Sequence, residues 1–295
     1  VRAGEIVCIA GIDGNGQSEF VYALTGLEKA EKGKIYLENE EITDKYFELA
    51  DKKATVSSMS EIKNFSQLKT LAEDMTAHKS QLGIEGVFAS TSLASGEDWR
   101  WQTHLMNVPL YYEFKESEDY DDPTIAGLNS KEIAFRYSDE FRNTFDLYTY
   151  NSLTDKKILG SKSTADSMAE FAQGKVAFVQ NGNWAWSQIS GVKGNTVKKD
   201  KIKFLPVYTG IKGEESQGLC IGTENYIAVN KYASKEQQQA SLDFLDWLFS
   251  SDTGKKYVTE KLKFITPFNT FSDDELPDDP LAKEVVRYMR DDSVK

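Results

Sequence analysis

Apolar positions at helical spacing organise the middle of this chain. Leu68, Leu71, Met75 and Leu82 fall on one side of a helix that opens near Phe65, is capped by Ser66 and is stopped by Gly83. A strand, Gly86 to Ser90, follows. Tyr111, Tyr112 and Phe114 alternate as strand residues do, with one or two buried rings. Met168, Ala169 and Phe171 close another helix, Gly174 suits the left-handed position after it, and Val176 to Val179 read as a buried strand. Asn181, Gly182 and Asn183 then favour a turn, which sets Trp184 and Trp186 just beyond a strand end, either in the core or exposed in a cleft. Glu224 to Asn230 reads as a strand, and Ser234 with Gln237 forms a capping box. The helix it opens buries Leu242, Leu245 and Phe249, with Trp247 off the stripe's centre as a packing residue. Asp279 as N-cap and Pro280 at the first helical position open a closing helix with Leu281, Val285 and Tyr288 inward.

The first 48 residues have a different texture: a strand (Glu5 to Ala10), a glycine-rich turn (Gly11 to Gly16), a helix (Gln17 to Leu24) and a second strand around Lys34 to Leu37. Gly11, Gly14, Gly16, Gln17 and Ser18 match the P-loop pattern except that Gln17 stands where a lysine reaches the terminal phosphates. The change removes a positive charge, so the turn is a degenerate P-loop that folds and packs, or holds an anion weakly. No later acidic residue ends an apolar strand to hold Mg²⁺, and no signature sequence or switch histidine for nucleotide hydrolysis follows.

Composition narrows the chemistry. The 295 residues, 40% hydrophobic and 28% charged, suffice for one large core or two smaller ones, and the net charge of −12 disfavours nucleic acid as a partner. Lys198, Lys199, Lys201 and Lys203 read as a solvated loop and the rim of an edge strand. Cys8 and Cys220 sit in apolar strand-like contexts as free thiols, and His78 and His104 are too sparse for a metal cluster. His78 reads as a surface or helix-cap residue. Neither a catalytic nucleophile with its base nor a cofactor motif can be read, so the chain is expected not to be an enzyme. The acidic runs at 118–122 and 273–279 read as solvated loops without a calcium-loop pattern. No apolar run is long enough to span a bilayer, and no export signal is visible, which taken literally implies a cytoplasmic chain.

The segment VRAGEIVCIAGIDGNGQSEFVYALTGL resembles the ATP-binding subunits of ABC importers, in particular the second cassette of tandem sugar or nucleoside importer ATPases, and the resemblance stops near Thr43. From Phe65 to about Tyr288 the chain resembles the family 1 extracellular solute-binding proteins, through GEDWRWQTHL at 96–105, the tryptophan run at 171–189 and the stretch 224–258. This implies an α/β fold of the type II periplasmic-binding-protein kind, with one complete lobe and an incomplete second lobe behind a short P-loop-like βαβ segment. The units expected are 1–48, a solute-binding lobe at 60–212, and 213–295 as crossing strand and helices that complete or cap the lobes. The resemblance further implies a monomer that binds a sugar or oligosaccharide, presents it to membrane permease subunits, and works outside the cell or anchored at its surface.

Carried over residue by residue, Trp184 is the stacking tryptophan, Trp99, Trp101 and Asp98 form a second cleft-facing segment, and Trp186 packs beneath. Arg100, Asn181, Asn183 and Glu224 are the further polar partners, with Gln102 and His104 as outer candidates. For Asp98 and Arg100 a surface ion pair is the competing reading. Two other functions stay open: a nucleotide-binding ATPase fragment, and a chimera in which neither activity is intact.

Overall fold

The computed structural model describes residues 35–90, 92–221, 226–266, 268, 270–272 and 275–291. The turn carrying Gly11, Gly14, Gly16, Gln17 and Ser18, together with Cys8 and Glu224, lies outside the described residues. A three-stranded antiparallel sheet organises the rest: β1 (Ile35–Asn39) lies between β2 (Phe178–Asn181) and β3 (Ile202–Leu205), with Leu37 opposite both Val179 and Phe204. The strand expected to close an N-terminal unit is therefore the middle strand of the main sheet, and the boundary expected at residue 48 does not hold. Its partners are some 140 and 165 residues downstream by register, a pairing that local periodicity does not encode. The strand expected at Gly86–Ser90 is reduced to isolated parallel bridges of Phe88 with Ser152 and Phe178, which run that segment beside β2.

Both sheet faces are covered by helices. On one, Phe88, Phe178 and Leu205 pack with Leu68, Leu71 and Met75 of α2 (Phe65–Ala77) and Tyr148 of α5 (Ser138–Tyr150), while α1 (Glu40–Phe47) adds Ile42 and Tyr46. On the other, Val179, Ile202 and Phe204 pack with Phe171 of α6 (Thr164–Ala172), Ile189 of α7 (Ala185–Ser190) and Leu281 of α10 (Pro280–Arg290). Phe178 and Val179 thus point to opposite faces, as successive strand residues must. The helices α3 (Asn107–Lys115) and α4 (Pro123–Asn129) pack against one another, and α3 also touches α5. The expected strand at Tyr111, Tyr112 and Phe114 is instead α3, with Tyr111 exposed. Buried Glu113 explains part of the difference, because its carboxylate accepts the backbone N–H groups of Ala134 and Arg136, both at 2.8 Å, which fastens α3 to the following chain.

Helix α2 buries Leu68, Leu71 and Met75 as expected but ends at Ala77; Leu82 and Gly83, with a φ of 74°, close a separate turn of helix over Lys79–Leu82, and the cap of α2 is Asn64, whose Oδ1 accepts the Gln67 N–H at 2.9 Å. Buried Glu214 reinforces that end, accepting N–H groups from Phe65 at 2.6 Å, Thr209 at 2.7 Å and Gly210 at 2.9 Å, where a negative charge suits the helix dipole. Asn64→Ala is accordingly expected to cost about 1 kcal/mol in a urea unfolding series, and Ser66→Ala less than about 0.5 kcal/mol. A larger cost at Ser66 than at Asn64 would return the cap to Ser66. At the other end His78 caps α2 through the Asp74 carbonyl, as expected.

The downstream region divides. Asp279 and Pro280 open α10 as expected, and Tyr288 donates to the Phe204 carbonyl at 3.0 Å. The capping box of α8 (Lys235–Ser250), which α9 (Asp252–Lys256) follows, also forms, yet its stripe is not buried: Leu242 is exposed, Leu245 and Phe249 are half-buried, and Leu248 alone is buried. Trp247 is exposed against Phe244 in place of packing under a neighbouring element. Tyr226–Asn230, the described part of the expected strand, joins no ladder among the described residues. Helical periodicity says which face is apolar, and a second layer must come from elsewhere to cover it. The lysine rim behaves as expected: Lys199 meets Asp278 at 3.0 Å, Lys201 meets Glu40 at 3.3 Å, Lys203 meets Glu284 at 3.4 Å, and Lys198 meets Glu41.

Candidate functional site

Two chain segments meet beyond the carboxyl end of β2. The first is the turn leaving that strand. Asn181 is fully buried; its Oδ1 accepts the Gly182 N–H at 3.0 Å and its Nδ2 donates to Gln188 Oε1 at 3.0 Å, so the side chain holds the turn's shape. The turn delivers Trp184 as the residue that precedes α7, and Trp186 packs half-buried against the second core.

The second segment is the loop 92–99, which feeds a short π-helix, Arg100–Leu105. Ala94 N–H donates to the Lys162 carbonyl at 3.1 Å, and the Glu97 carboxylate accepts the N–H of Thr164, tying the loop to the start of α6. Trp99 stands at the head of the π-helix. The Met106 N–H reaches back five residues to the Trp101 carbonyl at 3.0 Å, and this wide turn stacks residues five apart, which brings His104 under Trp99 at 5.1 Å between ring centroids.

The two segments close on one another. The Trp99 and Trp184 rings lie 6.5 Å apart, tilted by 30°, and His104 meets Trp184 at 5.7 Å. The Arg100 guanidinium sits 4.1 Å over the Trp99 ring, a cation–π contact. Trp99 is half-buried whereas Trp184 is 8% exposed, so Trp99 forms the outer surface of the cluster and Trp184 backs it. The buried atoms Asn183 Oδ1, Trp184 Nε1 and Gln180 Nε2 have no hydrogen-bond partner among the described residues, which makes this strand end a place where a polar ligand or water is energetically useful.

Among the residues singled out from sequence, the structure brings together Trp99, Arg100, His104, Trp184 and, on the turn, Asn183. Asp98 stands at the edge, accepting from Gln102 at 2.8 Å, and Gln102 is exposed. Trp101 departs from expectation. It points the other way from the π-helix, is 5% exposed, and packs on Phe145 at 5.4 Å and Tyr148 at 5.5 Å, so it belongs to the core and not to a cleft-facing platform. Asn181 likewise has its amide engaged inside the protein. Gln180 is a further polar residue of this strand end, lying between Val179 and Asn181 in β2.

No group of three or more His, Cys, Asp or Glu side chains among the described residues is arranged to hold a metal ion, and no described helix is long and apolar enough to cross a membrane.

Comparison with known proteins gives two kinds of likeness. The family profile described as bacterial extracellular solute-binding protein matches residues 40–284. Short stretches match importer ATPases: the nucleoside import ATP-binding protein NupA of Lactococcus lactis subsp. cremoris is 64% identical over 44 residues, 15% of this chain and 9% of that protein. The guanosine import ATP-binding protein NupO of Bacillus subtilis is 48% identical over 62 residues, 21% of this chain and 11% of that protein.

Among solved structures, a family 1 extracellular solute-binding protein from Bifidobacterium longum subsp. infantis matches with a TM-score of 0.59 at 14% identity, covering 89% of this chain and 60% of that one. A chitin oligosaccharide binding protein matches with a TM-score of 0.59 at 13% identity, covering 92% and 65%. A solute-binding protein in complex with raffinose matches with a TM-score of 0.57 at 17% identity, covering 89% and 60%. At these identities the likeness is one of fold, a mixed α/β architecture, and the chain spans less than two thirds of the length of these structures.

Proposed function

Because the chain belongs to the bacterial extracellular solute-binding protein family, we propose that it binds a sugar or oligosaccharide, without catalysis, as the substrate-binding component of an ABC importer. The observation that carries this reading is the Trp99–His104–Trp184 cluster at the carboxyl end of β2. Ligands of open α/β sheets favour that position, and an indole face matches the apolar C–H face of a sugar ring while nearby polar groups meet its hydroxyls. Two structures of like fold are described as a chitin oligosaccharide binding protein and as a complex with raffinose, which supports the saccharide class. The ligand lies on Trp99, the outer ring, with Trp184 behind it and Asn183, Arg100 and Asp98 at its polar edge. The lobe that presents this cluster includes β1 as well as residues downstream of 60. The protein acts outside the cell and hands its ligand to membrane permease subunits.

A tryptophan-fluorescence titration against mono- and oligosaccharides, with Mg-ATP as a control ligand, tests the reading. Saturable quenching or enhancement by a saccharide is expected, with Trp184→Ala losing about tenfold or more in affinity and Gln17→Lys losing none. Unchanged affinity in the tryptophan variant removes the cluster from the site. The short importer-ATPase matches favour nucleotide as the second reading, and a response to Mg-ATP alone would transfer the function to the degenerate P-loop.

A further inference from the structure

A second surface lies apart from the aromatic cluster, on α3, α4 and the chain that follows them. A groove of about 580 Å³ opens there, lined among others by Phe114, Gly127, Ile133 and Phe135. Gly127 lets α4 close on the Phe114 ring, since a Cβ at that position would lie 3.2 Å from it. Ser130, Lys131 and Glu132 form the polar part of its lining, and large apolar side chains stand open to solvent at and beside it: Phe135 is 57% exposed and neighbouring Leu128 77%. Phe135 also holds a φ of 52°, a left-handed conformation that is costly for a bulky residue. The N–H groups on either side of it, from Ala134 and Arg136, are the two that buried Glu113 accepts, so a fixed carboxylate holds the strained turn that turns an aromatic ring outward.

Charge says what this face fits. Residues 111–140 carry nine carboxylates against three cationic side chains, half of the chain's net charge of −12 in about a tenth of its length. Five of those carboxylates fall in 116–122, the loop joining α3 to α4, and Glu116 reaches the Arg136 side chain at 3.3 Å beside the groove. We propose that this face docks a cationic segment of a partner protein that carries an apolar anchor side chain into the groove. A second copy of the chain would set the acidic face against itself, and an anionic lipid surface would be repelled in the same way. Residues 1–34 hold five carboxylates against four cationic side chains and so lack the required charge. A contiguous exposed apolar patch rimmed by polar residues marks an interaction surface in soluble proteins.

The test is fluorescence anisotropy of a labelled amphipathic leucine–lysine peptide titrated with the full chain, alongside a leucine–glutamate peptide of the same pattern. Saturable, salt-sensitive binding of the basic peptide is expected, with Phe135→Asn weakening it about tenfold. Asparagine tolerates the left-handed backbone, so the same variant is expected to hold or raise the melting temperature, by about 2 °C. That pairing separates a lost anchor from a lost fold. Leu128→Ser, at an exposed position, is expected to weaken binding without altering the backbone. Saccharide titrations should be unaffected in both variants, which keeps this outcome distinct from that of the sugar site. Equal binding by the variants, absence of saturable binding, equal binding of the acidic peptide, or self-association of the wild-type chain abolished by Phe135→Asn would each overturn the proposal.

Discussion

Trp101→Ala is expected to destabilise the protein by about 3–5 kcal/mol, a large share of the roughly 5–15 kcal/mol by which domains are folded. The indole is 5% exposed and fills the junction of the π-helix, α5 and the sheet, against Phe145 and Tyr148. Tyr148 is itself a keystone: its ring packs on Phe88 at 4.6 Å and its hydroxyl accepts the Gln180 N–H at 2.7 Å. Deleting the indole leaves a void that these groups cannot close without breaking that hydrogen bond, so both the transfer and the cavity contributions are lost. Urea unfolding followed by circular dichroism measures the cost. Trp99→Ala, at the half-buried head of the same π-helix, is expected to cost clearly less while weakening saccharide binding more. The reverse ordering, a stable Trp101→Ala protein that no longer binds sugar, would put Trp101 in the cleft and the core assignment in error.

The contrast between these two tryptophans shows where sequence reading stops. Residues 99 and 101 share a face only on a strand; on the wide turn observed, Trp99 pairs with His104 and Trp101 turns inward. Nothing in the spacing announces a π-helix, whose geometry depends on packing against α5 and the turn before α7. Local devices with local causes were legible: the α2 stripe, left-handed Gly83 and Gly174, the Ser234 capping box and the Asp279–Pro280 opening. Each depends on residues within a few positions of one another. The misreadings share a different cause. Tyr111, Tyr112 and Phe114 alternate like a strand, yet Glu113 between them is engaged by the backbone at 134 and 136, a contact twenty residues away that selects the helix. Local pattern places β1 with its sequence neighbours, whereas its partners are β2 and β3. Asn64 and Ser66 are both good caps by type, and only the geometry of Phe65 decides between them.

Glu38→Gln is expected to stabilise the protein by about 3 kcal/mol at pH 8 and to change it little at pH 4. Glu38 lies on the central strand, 3% exposed, opposite Phe178 and Lys203 in the register. Burial pushes its carboxyl up from 4.5 to about 7; the hydrogen bond from Thr43 Oγ1 at 2.5 Å opposes the shift, Glu40 and Asp44 add to it, and Lys203 offsets part of it. Below pH 4.5 folded and unfolded chains both hold the proton, and Glu38 exacts no electrostatic penalty. Between pH 4.5 and 7 the unfolded chain releases it while the folded chain retains it, so the stability contributed by the neutral carboxyl drains away as pH rises, and above 7 the loss is complete. Glutamine keeps a carbonyl oxygen for Thr43 and cannot ionise, so it removes the penalty without removing the hydrogen bond. Glu275 and Asp278 act in the opposite sense, since Lys255 and Lys283 hold their carboxyls down to about 2 and the stability they contribute is lost only in acid. The difference between wild type and Glu38→Gln cancels those groups and isolates Glu38. Urea midpoints measured from pH 4 to 8 should therefore diverge steadily across that window; parallel curves would mean that Glu38 reaches solvent in the folded protein and ionises as an ordinary carboxylate.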